Sequence, residues 1–407
     1  MAVTTRPLPV VVAGAGPTGL MCALALGRQG IPVIVLEGED ALAHDLRAGT
    51  FHPPTLEMMA PYGITARMLE TGLKVRHWQI RDRSGELVAE FDLDRIADVT
   101  PYPYRLHLEQ HRLTPIQLDI LRRETEVDVR FAHRLTGFTQ NDDHIRVEVA
   151  VGDKSEPLVL EASWLIGADG GRSSVRKALD VEFEGFTWPE QFLVASTHFD
   201  FARHGFAMNS YISDPIHWAA VFKMPDLTPA GIWRAACPAD PALADVVLLG
   251  DEHIDRTLQN IVPRGERYEV RYRGIYRVHQ RVAKTFRGGR VLIAGDAAHL
   301  NNPMGGFGLN SGIHDAINLA DKLGRVWRRE AGDALLDLYV RQRRAATIEQ
   351  VQAMSIRNKR LLEERDPQVQ RAQLTDLIAI AADPVRAKEY LLNSSMISGL
   401  RRANEVT

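Results

Sequence analysis

The sequence predicts an α/β protein: a parallel-sheet domain assembled from separated stretches of chain, a mostly antiparallel β domain inserted into it, and a helical C-terminal segment. Three observations carry this. Residues 10–13 (VVVA) are a β-branched run ending in glycines. Helical patterning follows from Leu20 to Arg28, with a stop at Gly30 and a second apolar strand at 31–37, so the stretch is one strand–helix–strand unit. From about 183 to 275 the pattern is mostly strand (FLVAST, NSYIS, WAAVFKM, GIWRAAC, YEVRYRGIY), as an antiparallel sheet requires. A buried strand at 290–298 (RVLIAGDAA) then resumes the first pattern, and helical patterning dominates from 309 onward.

The remaining elements fall between these. Residues 42–75 are mixed, with turn signals at 52–54 and 61–63. Two short strands flank RSG within 76–92, YPY at 102–104 marks a loop, and 111–126 reads as a helix. Strands are expected at 127–132, 144–151, 157–162 and 164–168. The parallel-sheet domain is therefore placed at 1–75, 100–182 and 276–345, the inserted sheet at 76–99 and 183–275, and the helical segment at 346–407. Residues 8–27 contain no charge, but Pro17 and three glycines lie in their middle, where they would weaken a membrane-spanning helix. A strand, a turn and a helix explain the run better.

The chain has 407 residues, 45% hydrophobic and 25% charged, with a formal net charge of -3, which makes no case for nucleic acid. Two cysteines, Cys22 and Cys237, support neither a disulfide framework nor a metal cluster, and point to a reducing cytoplasm. The histidines and acids show no metal-ligand spacing. The basic runs at 325–330 and 341–346 read as solvated helix faces.

Three motifs carry chemistry. Gly14-Ala15-Gly16-Pro17-Thr18-Gly19 is a GxGxxG between strand and helix, where glycines let backbone approach a pyrophosphate and the helix start offers free N–H groups. Glu37, ending the second strand, is placed to accept hydrogen bonds from an adenosine ribose. The order is Rossmann-type and does not by itself separate NAD from FAD. The second motif, 165–179, ends an apolar strand at Ala168-Asp169-Gly170; alone it is also ordinary turn chemistry, with Asp169 as a helix cap. The third, 290–316, runs from a buried strand through Gly295-Asp296 and a glycine-rich loop, Pro303 to Gly308, into a helix near Asn310. Such a loop lets a flat ring lie against backbone, and the helix start stabilises negative charge on it.

These motifs, in this order, resemble the class A flavoprotein aromatic hydroxylases, the p-hydroxybenzoate hydroxylase fold, over most of residues 8–345. The resemblance implies a discontinuous FAD-binding domain with the inserted sheet as substrate domain. It implies that Gly14, Gly16, Pro17, Thr18, Gly19 and Glu37 hold the ADP half of FAD, with Arg47 near the phosphates and Gln110 beside the ribityl chain. It further implies adenine-side backbone at Arg134 and Leu135, Asp169 at both FAD and nicotinamide, and Gly295 and Asp296 at the ribityl chain. Pro303, Gly306, Gly308, Leu309 and Asn310 would line the flavin ring. Residues 183–222 and YRVHQRVAKTFRGGRV are most similar to para-nitrophenol monooxygenases and related phenol or hydroxypyridine hydroxylases. The thioredoxin-like C-terminal domain of the larger phenol hydroxylases is absent from the sequence.

The implied activity is hydroxylation of a small phenolic ring through a flavin hydroperoxide, with NADPH or NADH as transient reductant and dioxygen as co-substrate. Para-nitrophenol or a similar phenol is the leading substrate; a hydroxypyridine or an aromatic acid is the alternative. A phenolate reacts better than a phenol, so a proton acceptor is expected among His217, Tyr211, His299 and Tyr276, with His217 and Tyr211 on strands facing the ring. Trp218 and Trp233 are expected in the core or the pocket wall. A halogenase would carry WxWxIP, which the sequence lacks, and a non-catalytic binding module of this fold would have lost the flavin loop, which is present. A second copy of the chain is a candidate partner; nucleic acid and membrane are not.

Overall fold

The structure is a computed structural model that describes residues 7–44, 49–152, 156–226, 228 and 231–407. Its first sheet has six strands in the order Arg287–Gly288, Val291–Ile293, Trp164–Gly167, Val10–Ala13, Val33–Leu36, Asp128–Arg130. All neighbours are parallel except the two-residue edge strand. Every residue of Val10–Ala13 and Trp164–Gly167 is buried, which is why these strands are apolar runs rather than alternating ones.

Helix Pro17–Gly27 lies against this sheet and packs on helices Phe307–Trp327 and Gln110–Glu124. The close approach at its start needs two glycines. A Cβ on Gly14, at φ +101°, would sit 2.5 Å from the Ala168 carbonyl oxygen, and one on Gly19 would overlap the Gly14 carbonyl oxygen. A three-stranded antiparallel sheet, Leu158–Ala162, Ile145–Val151, His133–Gln140, adjoins it. The strand His133–Gln140 was marked only by the resemblance at Arg134 and Leu135, not by hydrophobic pattern: Leu135 is its one buried residue.

The second large sheet has eight strands: His299–Leu300, Val270–Ala283, Phe183–Thr197, Ile232–Ala239, Ala219–Met224, Asn209–Ile212, His77–Arg81, Leu87–Asp92. It is antiparallel except where Asn209–Ile212 runs parallel to His77–Arg81. Strand Val270–Ala283 runs through the expected boundary at 275, pairing with Phe183–Thr197 from Ala283 back to Val270. The outer face of this sheet (Leu193, Ala195, Val221, Trp233) packs against Leu248, Ile254 and Leu258. Those three belong to helices Asp245–Leu248 and Asp251–Gln259, in a stretch read as mostly strand. Ile254 and Leu258, four apart, are what the helix buries there.

The inner face meets two things. Phe192, Val194, Ala220 and Ala236 cluster with Met304 of the glycine-rich loop. Trp78, Ile80 and Phe91 cluster with Leu377 and Leu391 of the C-terminal helices Pro367–Ala382 and Pro384–Ser394. Among the described residues no helix is long and apolar enough to cross a membrane.

Because a Cβ at position 19 has no room, Gly19→Ala should destabilise the fold by about 1–3 kcal/mol through forced separation of helix and strand. Urea unfolding of the variant should show a lower midpoint with an unchanged slope; an unaltered midpoint would count against this packing.

Candidate active site

The phosphate cradle forms where the first strand ends. Gly14 donates its N–H to the Leu36 carbonyl at 2.7 Å, tying the turn to the second strand. Gly16 precedes the helix with φ -73° and ψ 177°, and no side chain caps the helix start. A Cβ built on Gly16 meets nothing within 4 Å. So Gly14 and Gly19 are small because the protein crowds them, whereas Gly16 borders open space at a helix N-terminus. That is the shape a pyrophosphate needs. Glu37 Oε2 accepts from the Ala15 N–H at 2.8 Å and Oε1 from the Glu39 N–H at 3.0 Å, which fixes the carboxylate at the end of its strand. Leu135 is buried on the strand whose first residue, His133, donates its N–H to the Glu37 carbonyl at 2.7 Å. Gln110 opens helix Gln110–Glu124 and is half-buried. Arg47 lies outside the described residues.

Asp169, expected at the cofactor, caps a short helix. Its carboxylate accepts from Ser173 Oγ at 2.5 Å, Ser174 N at 2.7 Å and Val175 N at 3.2 Å, closing the start of helix Ser174–Ala178. The plain helix-cap reading of this motif describes its side chain. Arg176 of that helix donates to the Ala297 carbonyl at 2.9 Å, joining this motif to the Gly-Asp turn.

That turn hangs on one buried carboxylate. Asp315 accepts from Gly295 N at 3.0 Å, from Arg343 Nε at 2.5 Å, and bonds His299 Nε2 at 2.7 Å. Burial alone would raise the Asp315 carboxyl, yet Arg343 and His299 beside it hold it well below the usual carboxylate range. His299, one of the expected proton acceptors, is thus tied through Nε2 into a buried network, while its Nδ1 has no partner among the described residues. Asp296 is exposed in the short turn Gly295–Ala297, and Thr18 stands against Gly295.

The glycine-rich loop is held from its other side. Asn310 Oδ1 accepts the His52 N–H at 2.9 Å, and its Nδ2 donates to the carbonyls of Thr50 at 2.8 Å and Gly306 at 2.6 Å. His52 Nε2 bonds the Gly305 carbonyl at 2.8 Å. Gly305 and Gly306 have φ of +108° and +71°, which only glycine adopts freely. Pro303 is exposed, and its carbonyl accepts the Gly306 N–H at 3.0 Å. No side chain caps helix Phe307–Trp327, so N–H groups of its first turn, those of Gly308 and Leu309 among them, have no intrahelical acceptor. An open Gly16, an uncapped helix beside a strained glycine loop and an exposed Asp296 fit FAD.

Opposite the loop stands the inner face of the large sheet. Tyr211 is on it, half-buried between the two aromatic clusters, as expected. Tyr276 is also there, its hydroxyl 2.6 Å from that of Tyr272. Trp218 packs edge-on against Phe192 at 4.8 Å, while Trp233 is core on the outer face. His217 is not on a strand: it is exposed in a turn whose Ile216 and His217 N–H groups both bond Asp214 Oδ1 at 2.8 Å. The sequence reading took an aromatic-flanked stretch for strand, and the Asp214 turn breaks it.

His52, Arg105, His107 and Asn209 are all buried, the first three within electrostatic reach of one another. His52 Nδ1, His107 Nε2, Asn209 Oδ1, and Arg105 Nε and Nη1 have no hydrogen-bond partner among the described residues. A signal existed: in RLHLE, Leu106 and Leu108 point into the core, so Arg105, His107 and Glu109 point the other way. Glu109 bonds Arg234 at 2.6 Å. Burial pulls His52 down to about 3 and His107 down to about 4, so both rings are neutral near pH 7.

A family model described as FAD binding domain matches residues 7–354. The chain is 35% identical over 396 residues to the para-nitrophenol 4-monooxygenase of Pseudomonas sp. (strain WBC-3), covering 96% of each. It is 33% identical over 359 residues to the 6-hydroxy-3-succinoylpyridine 3-monooxygenase of Pseudomonas putida (strain DSM 28022 / S16), 88% of this chain and 90% of that one. The crystal structure of p-nitrophenol 4-monooxygenase from Pseudomonas putida DLL-E4 superposes with a TM-score of 0.91 at 32% identity, covering 97% of this chain and 98% of that one.

Two outcomes are expected. Gly16→Ala should fold normally but retain about tenfold less FAD through gel filtration, because its methyl enters ligand space rather than protein; full retention would mean the pyrophosphate lies elsewhere. His52, His107 and His314 have folded values of about 3, 4 and 3, below the unfolded imidazole value of about 6.5. The unfolded chain thus binds more protons, so their contribution is whole above about pH 6.5 and is lost as pH falls toward about 4 and below. Thermal midpoints measured across that window should decline with acid, and less steeply in His107→Gln.

Proposed function

The chain belongs to the FAD-binding-domain family and is an FAD-dependent aromatic monooxygenase, and within that class we propose that it hydroxylates a small phenolic ring, para-nitrophenol or a close analogue, using dioxygen and NADPH or NADH. The observation that carries the substrate is the similarity to two para-nitrophenol 4-monooxygenases across nearly the whole chain, substrate sheet included. The pocket wall agrees: Phe192, Val194, Trp218, Tyr211 and Tyr276 present flat apolar surface to the loop, suited to one small ring.

FAD held by these residues would supply the redox chemistry, two electrons from the nicotinamide reaching dioxygen so that one oxygen atom goes to the ring and the other leaves as water. The protein supplies position and environment. Pro303 to Gly306 offer side-chain-poor backbone for a flat ring, stapled by Asn310 and His52. The N-terminus of helix Phe307–Trp327 places partial positive charge at one edge of that ring. Asp296 is placed for a ribityl hydroxyl, and Gly14 to Gly19 for the pyrophosphate. The aromatic wall excludes water from the reacting atoms.

A hydroxypyridine is the second reading, since a relative covering most of the chain is named for one. Purified protein with FAD should oxidise NAD(P)H fastest with para-nitrophenol among phenols, hydroxypyridines and aromatic acids, with little hydrogen peroxide released. A hydroxypyridine giving the faster, tighter-coupled trace would favour the second reading.

A further inference from the structure

We propose that a small apolar cavity behind the glycine-rich loop is a binding site for dioxygen on its way to the flavin; the assignment rests on the monooxygenase reading above and is indifferent to which ring is hydroxylated. The cavity lies between helix Phe307–Trp327, helix Ala334–Ala346 with its continuation to Glu363, and the last two helices, Pro384–Ser394 and Ile397–Glu405. Its apolar wall is Phe307, Ala346, Val351, Met354, Met396 and Leu400. Phe307, Val351, Met354 and Met396 form a cluster separate from the cores of both large sheets. The cavity measures about 20 Å³, which admits a diatomic molecule and excludes a phenol or a nicotinamide.

The polar side chains on its border spend their hydrogen bonds elsewhere. His314 Nε2 bonds Thr55 Oγ1 at 2.9 Å, Arg343 is met by Asp315 and Ser311, and Gln350 Oε1 accepts from Arg402 at 2.6 Å. Among the described residues, no buried side-chain polar atom without a partner borders the cavity. The space therefore offers nothing to a polar ligand. A water held there would need about two to four polar partners. An uncharged apolar molecule needs none, and it gains by leaving water. Dioxygen is the co-substrate of a monooxygenase that has this chemistry.

Position ties the cavity to the flavin. Phe307 begins the helix assigned above to the flavin edge, and its ring is at once cavity wall and support of the loop: a Cβ built on Gly305 would stand 2.3 Å from Phe307 Cε2. The same ring stacks on His52, with centres 5.4 Å apart, and His52 bonds the Gly305 carbonyl. One aromatic ring thus stands between the cavity and the loop, and its rotation would join them. The backbone on the far wall is also unusual. From Ala334 to Glu363 the chain is continuously helical, but Thr347–Gln352 is wound as a π-helix, and this stretch brings Gln350 and Val351 to the cavity. Such turns are rare and occur often at functional sites, since they give up regular helical bonding to displace a side chain.

The test makes two measurements on the FAD holoenzyme. Crystals pressurised with xenon, an apolar probe, should show a xenon atom against Phe307 and Val351 in wild type. Val351→Phe and Ala346→Leu, whose added atoms fill the cavity, should show none there, and Met354→Ala, which widens it, should show higher occupancy. In the second measurement the FAD is reduced without oxygen and mixed with dioxygen in a stopped-flow instrument. Reoxidation should be about fivefold slower in each filled variant than in wild type. Dissolved xenon should slow wild type toward that lower rate and have no effect on the filled variants. No xenon in the wild-type cavity, or reoxidation equally fast once the cavity is filled, overturns the proposal. Holoenzyme that shows both effects but hydroxylates neither phenols nor hydroxypyridines upholds the cavity and overturns only the ring assigned above. Reduced FAD that does not react with dioxygen at all overturns both.

Discussion

The arrangement of this protein depends on the Asp315 carboxylate. It is fully buried, and it is tolerated there because an arginine, a histidine and a backbone N–H converge on it. Each donor comes from a different place: Arg343 from the helix Ala334–Ala346, Gly295 from the end of a parallel strand, His299 from the edge strand of the large sheet. One charge on helix Phe307–Trp327 thus refers both sheets and the glycine-rich loop to a common point. Asp296 and the N-terminus of helix Phe307–Trp327 both follow Gly295 within a short run of chain that this point holds.

Around this anchor the site separates into parts that serve packing and parts that face a ligand. In the first loop the distinction can be made glycine by glycine, since Gly14 and Gly19 abut protein and Gly16 abuts space. In the second loop Asn310 and His52 spend their hydrogen bonds on backbone, so the loop's shape is held by side chains that point away from the ring. Elsewhere hydrogen bonds are missing instead: Arg105, His107 and Asn209, like His52 Nδ1, keep buried polar atoms with no partner among the described residues.

Much of this was legible in the sequence. The parallel strands announce themselves because both faces are buried and the runs are uninterrupted Val, Ile and Leu. The helix Gln110–Glu124 and the paired strands around RSG were equally plain. What was illegible has physical reasons. His133–Gln140 forms largely exposed strand, so backbone pairing holds it without a hydrophobic pattern. The helix Asp251–Gln259 buries only Ile254 and Leu258, too few to stand out from a strand-rich stretch. Residue type alone could not place the histidines: the Asp214 turn takes His217 off the expected strand, and the bond of His299 to Asp315 depends on a helix sixteen residues on. Arg105 and His107 could have been found from their alternation with Leu106 and Leu108, but not their lack of partners, which depends on strands a hundred residues away.

The strand order has a consequence for synthesis. Trp164–Gly167 lies between Val10–Ala13 and Val291–Ile293, and five of the large sheet's eight described strands separate it from the latter in sequence. On the ribosome, the nascent parallel sheet presents a bare apolar edge until residues 291–293 emerge, and Asp315 arrives later still to close it. The cofactor half is thus begun first and completed almost last. For that interval the growing chain is a client for chaperones, and one interrupted before Val291 would carry an unpaired hydrophobic edge open to aggregation.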